Sequence, residues 1–353
     1  MANGDFTRSE IASQRDVWQK TLEKFSQQQG ELSGALTGLS KRPFIVIGCG
    51  STYYLALHAA SVLRSVGVNA WALPSSELVF FPQAHLPGDF ILLVLSRSGT
   101  TSESLWAMDA YRTAHPSTGK IISISCVPGT PMVAGSDIVL CSEFAQEKSV
   151  AQTRSFSSMA LMVQALAGML GDDMSRLERL ARLPGALESM LAQIGDLPQR
   201  LGGDLGLDRL FFLGSGPFYG IACEMMLKTK EMTTSWAEAY HCLEFRHGPM
   251  SVVSSSTLLV GLISDSGAAA EMRVLREMKA KGALTLAFTE SRGDYDWSGV
   301  DMLIETQTGL SDWERPVLYL PPVQWLAFYR ALAKGLDPDS PTNLTQVVEL
   351  ERG

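Results

Sequence analysis

Charge is scarce in this sequence, and cations are in the minority. Of 353 residues 19% are charged, with 29 Lys and Arg against 37 Asp and Glu, a formal net charge of -8. Phosphate backbones reward basic surfaces, so nucleic acid is excluded as the main partner, although a local basic pocket is not. Apolar runs are short as well. None reaches the ~18–20 residues of a membrane span, and the opening MANGDFTRSEIASQRD lacks the apolar core of a signal peptide. No membrane partner is expected, and the expected location is the cytoplasm. Cysteines are few: Cys49, Cys126, Cys141, Cys223 and Cys242 are odd in number, widely spaced and without a CxxC pair. They predict reduced thiols and no structural metal. Hydrophobic residues make up 46%, an ordinary globular balance, and the length suits about two domains at ~100–200 residues each.

What is present is a repeating rhythm. FIVIG (44–48), NAWALP (69–74), FILLVLS (90–96), KIISISC (120–126) and DIVLCS (137–142) are short apolar or β-branched runs. Residues 52–66 and 101–114 carry helical spacing between them. The pattern predicts an α/β fold with a parallel sheet wound by helices. A largely helical stretch over 143–203 follows, and then the rhythm restarts. RLFFLGSG (209–216) matches PFIVIGCG (43–50), and VGLISDSGAAAE (260–271) matches LLVLSRSGTTSE (92–103). Gly48 to Ser96 is 48 positions and Gly214 to Ser264 is 50, the mark of a duplicated unit. The chain is expected to divide into a helical segment over 1–40, a first unit with connecting helices over 41–200 and a second over 201–353.

Ligands of an open parallel sheet sit beyond the carboxyl ends of strands, where helix N-termini offer free N–H groups. Ser96, Ser98, Thr100 and Thr101 stand at such an end; Gly99 permits close backbone approach, and Arg97 is a nearby cation if its side chain turns inward. The same hydroxyls could instead cap the helix. In the second copy Asp265 replaces Arg97, and Ala268 and Ala269 replace the threonines. That contrast favours one phosphate site, in the first copy. A second segment, residues 219–250, sets Glu224, Lys228 and Glu231 at i, i+4 and i+7 on one helix face. This is either a surface ion-pair ladder or, after the GSG turn at the sheet's carboxyl edge, a face near a ligand crevice. EFRHGP then groups Glu244, Arg246 and His247, whereas His58, His85 and His115 have no such company.

The S-x-S-G loop, the duplicated unit and ACEMMLKTKEM…AEAYHCLEFRHGP together resemble the sugar isomerase (SIS) domain family. The arrangement is similar to the tandem isomerase half of glucosamine-6-phosphate synthase. The opening EIASQRDVWQKTL and the FRHGP ending resemble more closely still the stand-alone tagatose-6-phosphate ketose/aldose isomerase-like proteins, a group that includes amino-sugar-phosphate deaminases. The resemblance implies two tandem SIS domains, each a flavodoxin-like parallel sheet flanked by helices. It implies phosphate binding by Ser51, Thr52, Ser96, Ser98 and Thr101, with Arg97 at the intervening loop position. Glu231 is implied as the carboxylate moving a proton between C1 and C2, Lys228 as a substrate-side lysine, and His247 as an aid to ring opening contributed by a neighbouring subunit. A homodimer with shared active sites follows from that implication. The loop from Val150 to Arg154 is implied to face substrate, with Gln152 and Arg154 replacing the synthase's serine and lysine. Gln346 stands where the synthase has a tail lysine, and an amide can neither supply that cation nor form an imine. The expected substrate is an amino-sugar 6-phosphate, isomerised or deaminated with no cofactor and no metal. The alternatives are a fructosamine-6-phosphate deglycase and a sugar-phosphate sensor without turnover.

Overall fold

The five apolar runs of the first half become one parallel sheet. In the computed structural model, which describes residues 3–348 and 350, they form β1 (Phe44–Gly48), β2 (Ala70–Pro74), β3 (Ile91–Leu95), β4 (Lys120–Ser125) and β5 (Ile138–Cys141). Their order is β2-β1-β3-β4-β5, with every pairing parallel. All residues of β1 and β3 are buried, which is why these strands read as unbroken apolar runs: helices cover both faces of a parallel sheet. The crossovers after β1 and β3 are the helices Ser51–Ser65 and Ser102–Ala114.

The second half repeats this topology. Its strands are β6 (Arg209–Gly214), β7 (Trp236–Tyr240), β8 (Thr257–Leu262), β9 (Leu284–Thr289) and β10 (Met302–Glu305), in the order β10-β9-β8-β6-β7. Counted from its own first strand, this is the 2-1-3-4-5 order of the first sheet, the flavodoxin-like winding. The repeated GxG turns have a steric cause. A Cβ on Gly48 would stand 2.4 Å from the main chain of Thr52, and one on Gly214 would stand 2.7 Å from that of Phe218. The strand can therefore meet its helix closely only through glycine.

Two compact units result, and they do not follow the two halves of the chain. One carries the first sheet and comprises residues 16–147, 154–181 and the described residues from 345 on. Its core gathers Ile45, Ile47, Leu92, Val94, Met108 and Tyr111. The other carries the second sheet and gathers the described residues up to Arg15, with 148–153 and 182–344. Phe211, Leu213, Leu259, Met272 and Leu275 lie in its core. The stretch 143–203 contains the helices Arg154–Leu170, Ser175–Leu180, Leu183–Ile194 and Leu197–Gly203. Among the described residues no helix is long and apolar enough to cross a membrane.

Candidate functional site: a hydroxyl loop and a buried lysine

β1 and β3 are neighbours, and the winding reverses direction between them, which is where a doubly wound sheet opens a crevice at its carboxyl edge. Ser51 and Thr52 open the helix after β1, and Ser96 to Thr101 form the turn after β3. The turn is internally knit. Ser96 Oγ accepts the Gly99 N–H at 3.1 Å and lies 3.3 Å from Thr101 Oγ1. Ser98 Oγ accepts the Thr100 N–H at 3.3 Å and its hydroxyl at 3.1 Å. Gly99 has φ +67°, and a Cβ there would collide with Thr130 Oγ1. Thr52 Oγ1 donates to the Cys49 carbonyl and accepts the Cys49 N–H, both at 2.9 Å, so this hydroxyl shapes the GCG turn.

Arg97 turns elsewhere. Its guanidinium donates to the Gln346 carbonyl at 2.7 Å and stands 3.7 Å from Glu147 Oε2, both side chains being buried. Gln346 Nε2 donates to the Glu147 carbonyl at 3.1 Å, and the Leu350 N–H donates to Ser102 Oγ at 2.9 Å. Gln346 is thus held through its carbonyl by the Arg97 guanidinium and through its side-chain amide by the Glu147 carbonyl. Sequence reasoning did not find Glu147 or Ser102, which carry no motif of their own.

The second copy of the loop is filled by the protein's own carboxylates. Glu271 Oε2 accepts the Ser264 N–H at 2.7 Å and its hydroxyl at 3.0 Å. Burial pushes the Glu271 carboxyl up, opposed by hydrogen bonds from Ser264 and Ser215. Asp265 pairs with both terminal nitrogens of the fully buried Arg315 at 2.8 Å, and Asp312 accepts the Asp265 N–H at 2.9 Å. The N–H groups of Ser264, Asp265, Ser266 and Gly267 are thus engaged by protein acceptors. Asp265 in place of Arg97 marks the second loop as unlike the first in sequence, whereas Arg315, Asp312 and Glu271 carry no motif that announces their part in it.

The helix Pro217–Thr233 carries Glu224, Lys228 and Glu231. This is not a surface ladder: the side chains of Glu224 and Lys228 are 0% and 1% exposed, and only Glu231, at 19%, reaches the surface. Lys228 Nζ lies 3.5 Å from Glu224 Oε1 and donates to Glu231 Oε2. An ammonium this deep is tolerable only when paired. His247 is exposed; its N–H closes a short 3-10 turn over Glu244–Arg246 by bonding the Glu244 carbonyl at 2.9 Å. Arg246 pairs with Glu277 at 3.0 Å. The nearby His241 stacks on Tyr219 with ring centroids 3.8 Å apart, and burial lowers its pKa. The Val150 N–H donates to the Asp339 carbonyl at 3.2 Å, and Gln152 is half-buried. Arg154 Nε donates to the Gln146 carbonyl at 3.1 Å. His58 is buried, His85 faces Glu77 and His115 faces the Leu86 carbonyl.

Ser51, Thr52, Ser96, Arg97, Ser98 and Thr101 therefore belong to the unit of the first sheet, and Val150, Gln152, Lys228, Glu231 and His247 to that of the second. All five cysteines are free, and burial pushes their thiol pKa values up, that of Cys223 to about 12. Among the described residues no group of three or more His, Cys, Asp or Glu is placed to hold a metal ion.

The chain is 29% identical over 321 residues to a glutamine–fructose-6-phosphate aminotransferase (isomerizing) of Pyrobaculum aerophilum, a match covering 89% of this chain and 52% of that protein. It thus spans about half the length of the curated relatives it matches. Among solved structures, glucosamine-6-phosphate deaminase from Thermotoga maritima superposes with a TM-score of 0.82 at 26% identity, covering 98% of this chain and all of that one. Tagatose-6-phosphate ketose/aldose isomerase from Escherichia coli shares the fold, with a TM-score of 0.86 at 22% identity over 97% of this chain and 96% of that one. The SIS domain family profile matches residues 39–169 and 207–295, taking in both GxG turns and both S-x-S-G loops. With the sheet duplicated and more than half of its length matched by that profile, the chain belongs to the SIS domain family.

Proposed function

We propose that this protein is a sugar-phosphate isomerase or deaminase acting on an amino-sugar 6-phosphate. The observation that carries the reading is the Glu224–Lys228–Glu231 group, in which a buried ammonium is paired to two carboxylates and only Glu231 reaches the surface. Such a carboxylate is suited to removing a proton from the carbon next to a carbonyl and returning it to the adjacent one. In the open-chain aldose, Glu231 takes the C2 proton as O1 gains one, giving an enediol; delivery of a proton to C1 with loss of one from O2 leaves the ketose. Lys228 donates to Glu231 and can offset negative charge building on the sugar oxygens. When the C2 substituent is an amine, the same transfer gives a C2 imine, and water then replaces ammonia. The hydroxyls and N–H groups at Ser51, Thr52, Ser96, Ser98 and Thr101 hold the phosphate, and Thr52 also shapes the GCG turn through Cys49. His247 assists ring opening from the partner subunit of a homodimer. Chemistry of this kind requires no redox cofactor and no metal.

The deciding experiment offers glucosamine, galactosamine, fructose and tagatose 6-phosphates and a fructosamine 6-phosphate, and follows ammonia, free amino acid and ketose together. Ammonia or ketose formation that disappears in Glu231→Gln is the expected result. Amino acid release alone would assign a deglycase, and tight binding without any product would assign a sensor.

A further inference from the structure

The segment 148–153 belongs to the unit of the second sheet, although residues 147 and 154 on either side belong to the other unit. It contains neither helix nor strand, so its backbone must find hydrogen-bond partners outside any ladder. They come from the far ends of the sequence. Glu10, 3% exposed in the helix Asp5–Ala12, accepts the Lys148 N–H at 2.6 Å and the Ser149 N–H at 3.4 Å on one oxygen, and the Ser149 hydroxyl on the other. The Val150 N–H donates to the Asp339 carbonyl at 3.2 Å. The Asp339 carboxylate in turn receives the Phe6 N–H at 3.0 Å and the Thr7 N–H and hydroxyl at 2.7 Å, tying down the first turn of the same helix. At the other end of the segment the Thr153 carbonyl accepts Gln324 Nε2 at 3.3 Å, and Gln324 Oε1 accepts Gln14 Nε2 at 2.8 Å.

An eight-residue helix has too few internal hydrogen bonds to persist alone. Here it is fastened by one end of the chain and grips a loop more than a hundred residues away. Its buried carboxylate makes charge-assisted bonds, the stronger and more geometrically demanding kind. We propose that Glu10 is a positioning residue for the sugar end of the site: it sets the backbone of 148–153 so that Val150 and Gln152 meet the substrate in one geometry. The proposal rests on the reading of that loop as a substrate wall. None of these hydrogen bonds reaches Ser96, Ser98 or Thr101, so the two ends of a substrate should respond differently when Glu10 is changed.

The test compares the parent with Glu10→Ala, Glu10→Gln and Ser149→Ala by amide hydrogen exchange over 148–153 and by calorimetric binding. The probes are inorganic phosphate, fructose 6-phosphate and glucosamine 6-phosphate. Glu10→Ala should speed exchange at Lys148 and Ser149 and leave phosphate affinity within about twofold. It should weaken the hexose 6-phosphates about tenfold or more, since small misplacements of positioning groups carry large penalties. Glu10→Gln, which keeps an acceptor oxygen, should recover most of the loss. Faster exchange with unchanged hexose 6-phosphate binding would overturn the proposal, as would an equal loss for phosphate and hexose phosphates. Should Glu10→Ala fail to fold, Ser149→Ala must show the same difference between probes, and its absence overturns the proposal equally. A parent that binds phosphate but neither hexose 6-phosphate refutes the functional reading itself and removes the positioning role with it.

Discussion

Lys228 bridges Glu224, one turn before it, and Glu231, one turn after, with its side chain 1% exposed. The two carboxylates are not equivalent: Glu224 is sealed in and Glu231 opens outward. The helix thus presents one outward-reaching carboxylate, Glu231, backed by the buried Lys228.

Turnover should depend on Glu231 far more than binding does. Glu231→Gln keeps the shape and removes the base, so kcat should fall by roughly 10²–10⁴-fold with substrate affinity little changed. Exchange of the C2 proton with deuterated water should fall in step; near-normal exchange would identify another base.

Lys228→Met tests the burial of the pair. The substitution leaves Glu224 enclosed without its cation, and urea unfolding should show a loss of about 3–5 kcal/mol, the usual penalty for stranding one member of a buried pair. Adding Glu224→Gln to the same chain should restore much of that stability. Independent, additive effects would mean that the two side chains do not depend on each other.

Titration should find one phosphate per chain. Ser96→Ala with Thr101→Ala should weaken sugar-phosphate binding, each hydrogen bond to the charged group being worth roughly 1.5–3 kcal/mol. Ser264→Ala, in the loop already filled by Glu271, should leave affinity unaltered.

Glu271 should also mark the pH dependence of stability. Burial raises its carboxyl pKa in the folded protein above the ordinary 4.5, so between the two values the folded chain binds more protons than the unfolded one. Its contribution is fully present below the unfolded pKa and is lost as pH rises through the folded pKa. Glu271→Gln should therefore gain stability relative to the parent as pH is raised from about 4.5 toward neutrality. A parent and variant whose unfolding free energies run parallel over that range would refute the assignment.

If His247 is supplied by a partner subunit, Glu231→Gln and His247→Ala proteins, each nearly inactive, should regain activity when their subunits are mixed. Random pairing makes about half of the dimers mixed, each with one intact site, so roughly a quarter of all sites should recover. No recovery despite demonstrated exchange would keep the two residues in one chain's site or remove His247 from it.

The sequence by itself determined the sheets. β1 and β3 are apolar throughout because both their faces are covered, and Gly48 and Gly214 recur because no other residue lets a strand approach its helix so closely. These are local or strictly periodic demands, and a linear reading recovers them, together with the asymmetry between Arg97 and Asp265. Periodicity also put Glu224, Lys228 and Glu231 on one face, but it could not tell a surface ladder from a buried group, because spacing is blind to what packs over a helix. Only tertiary structure turned Arg97 toward Glu147 and Gln346, set Glu271 into the second loop and brought Glu10 to Ser149. Each of those partnerships satisfies a buried polar group with an atom that the chain's path, rather than its local pattern, brings within reach.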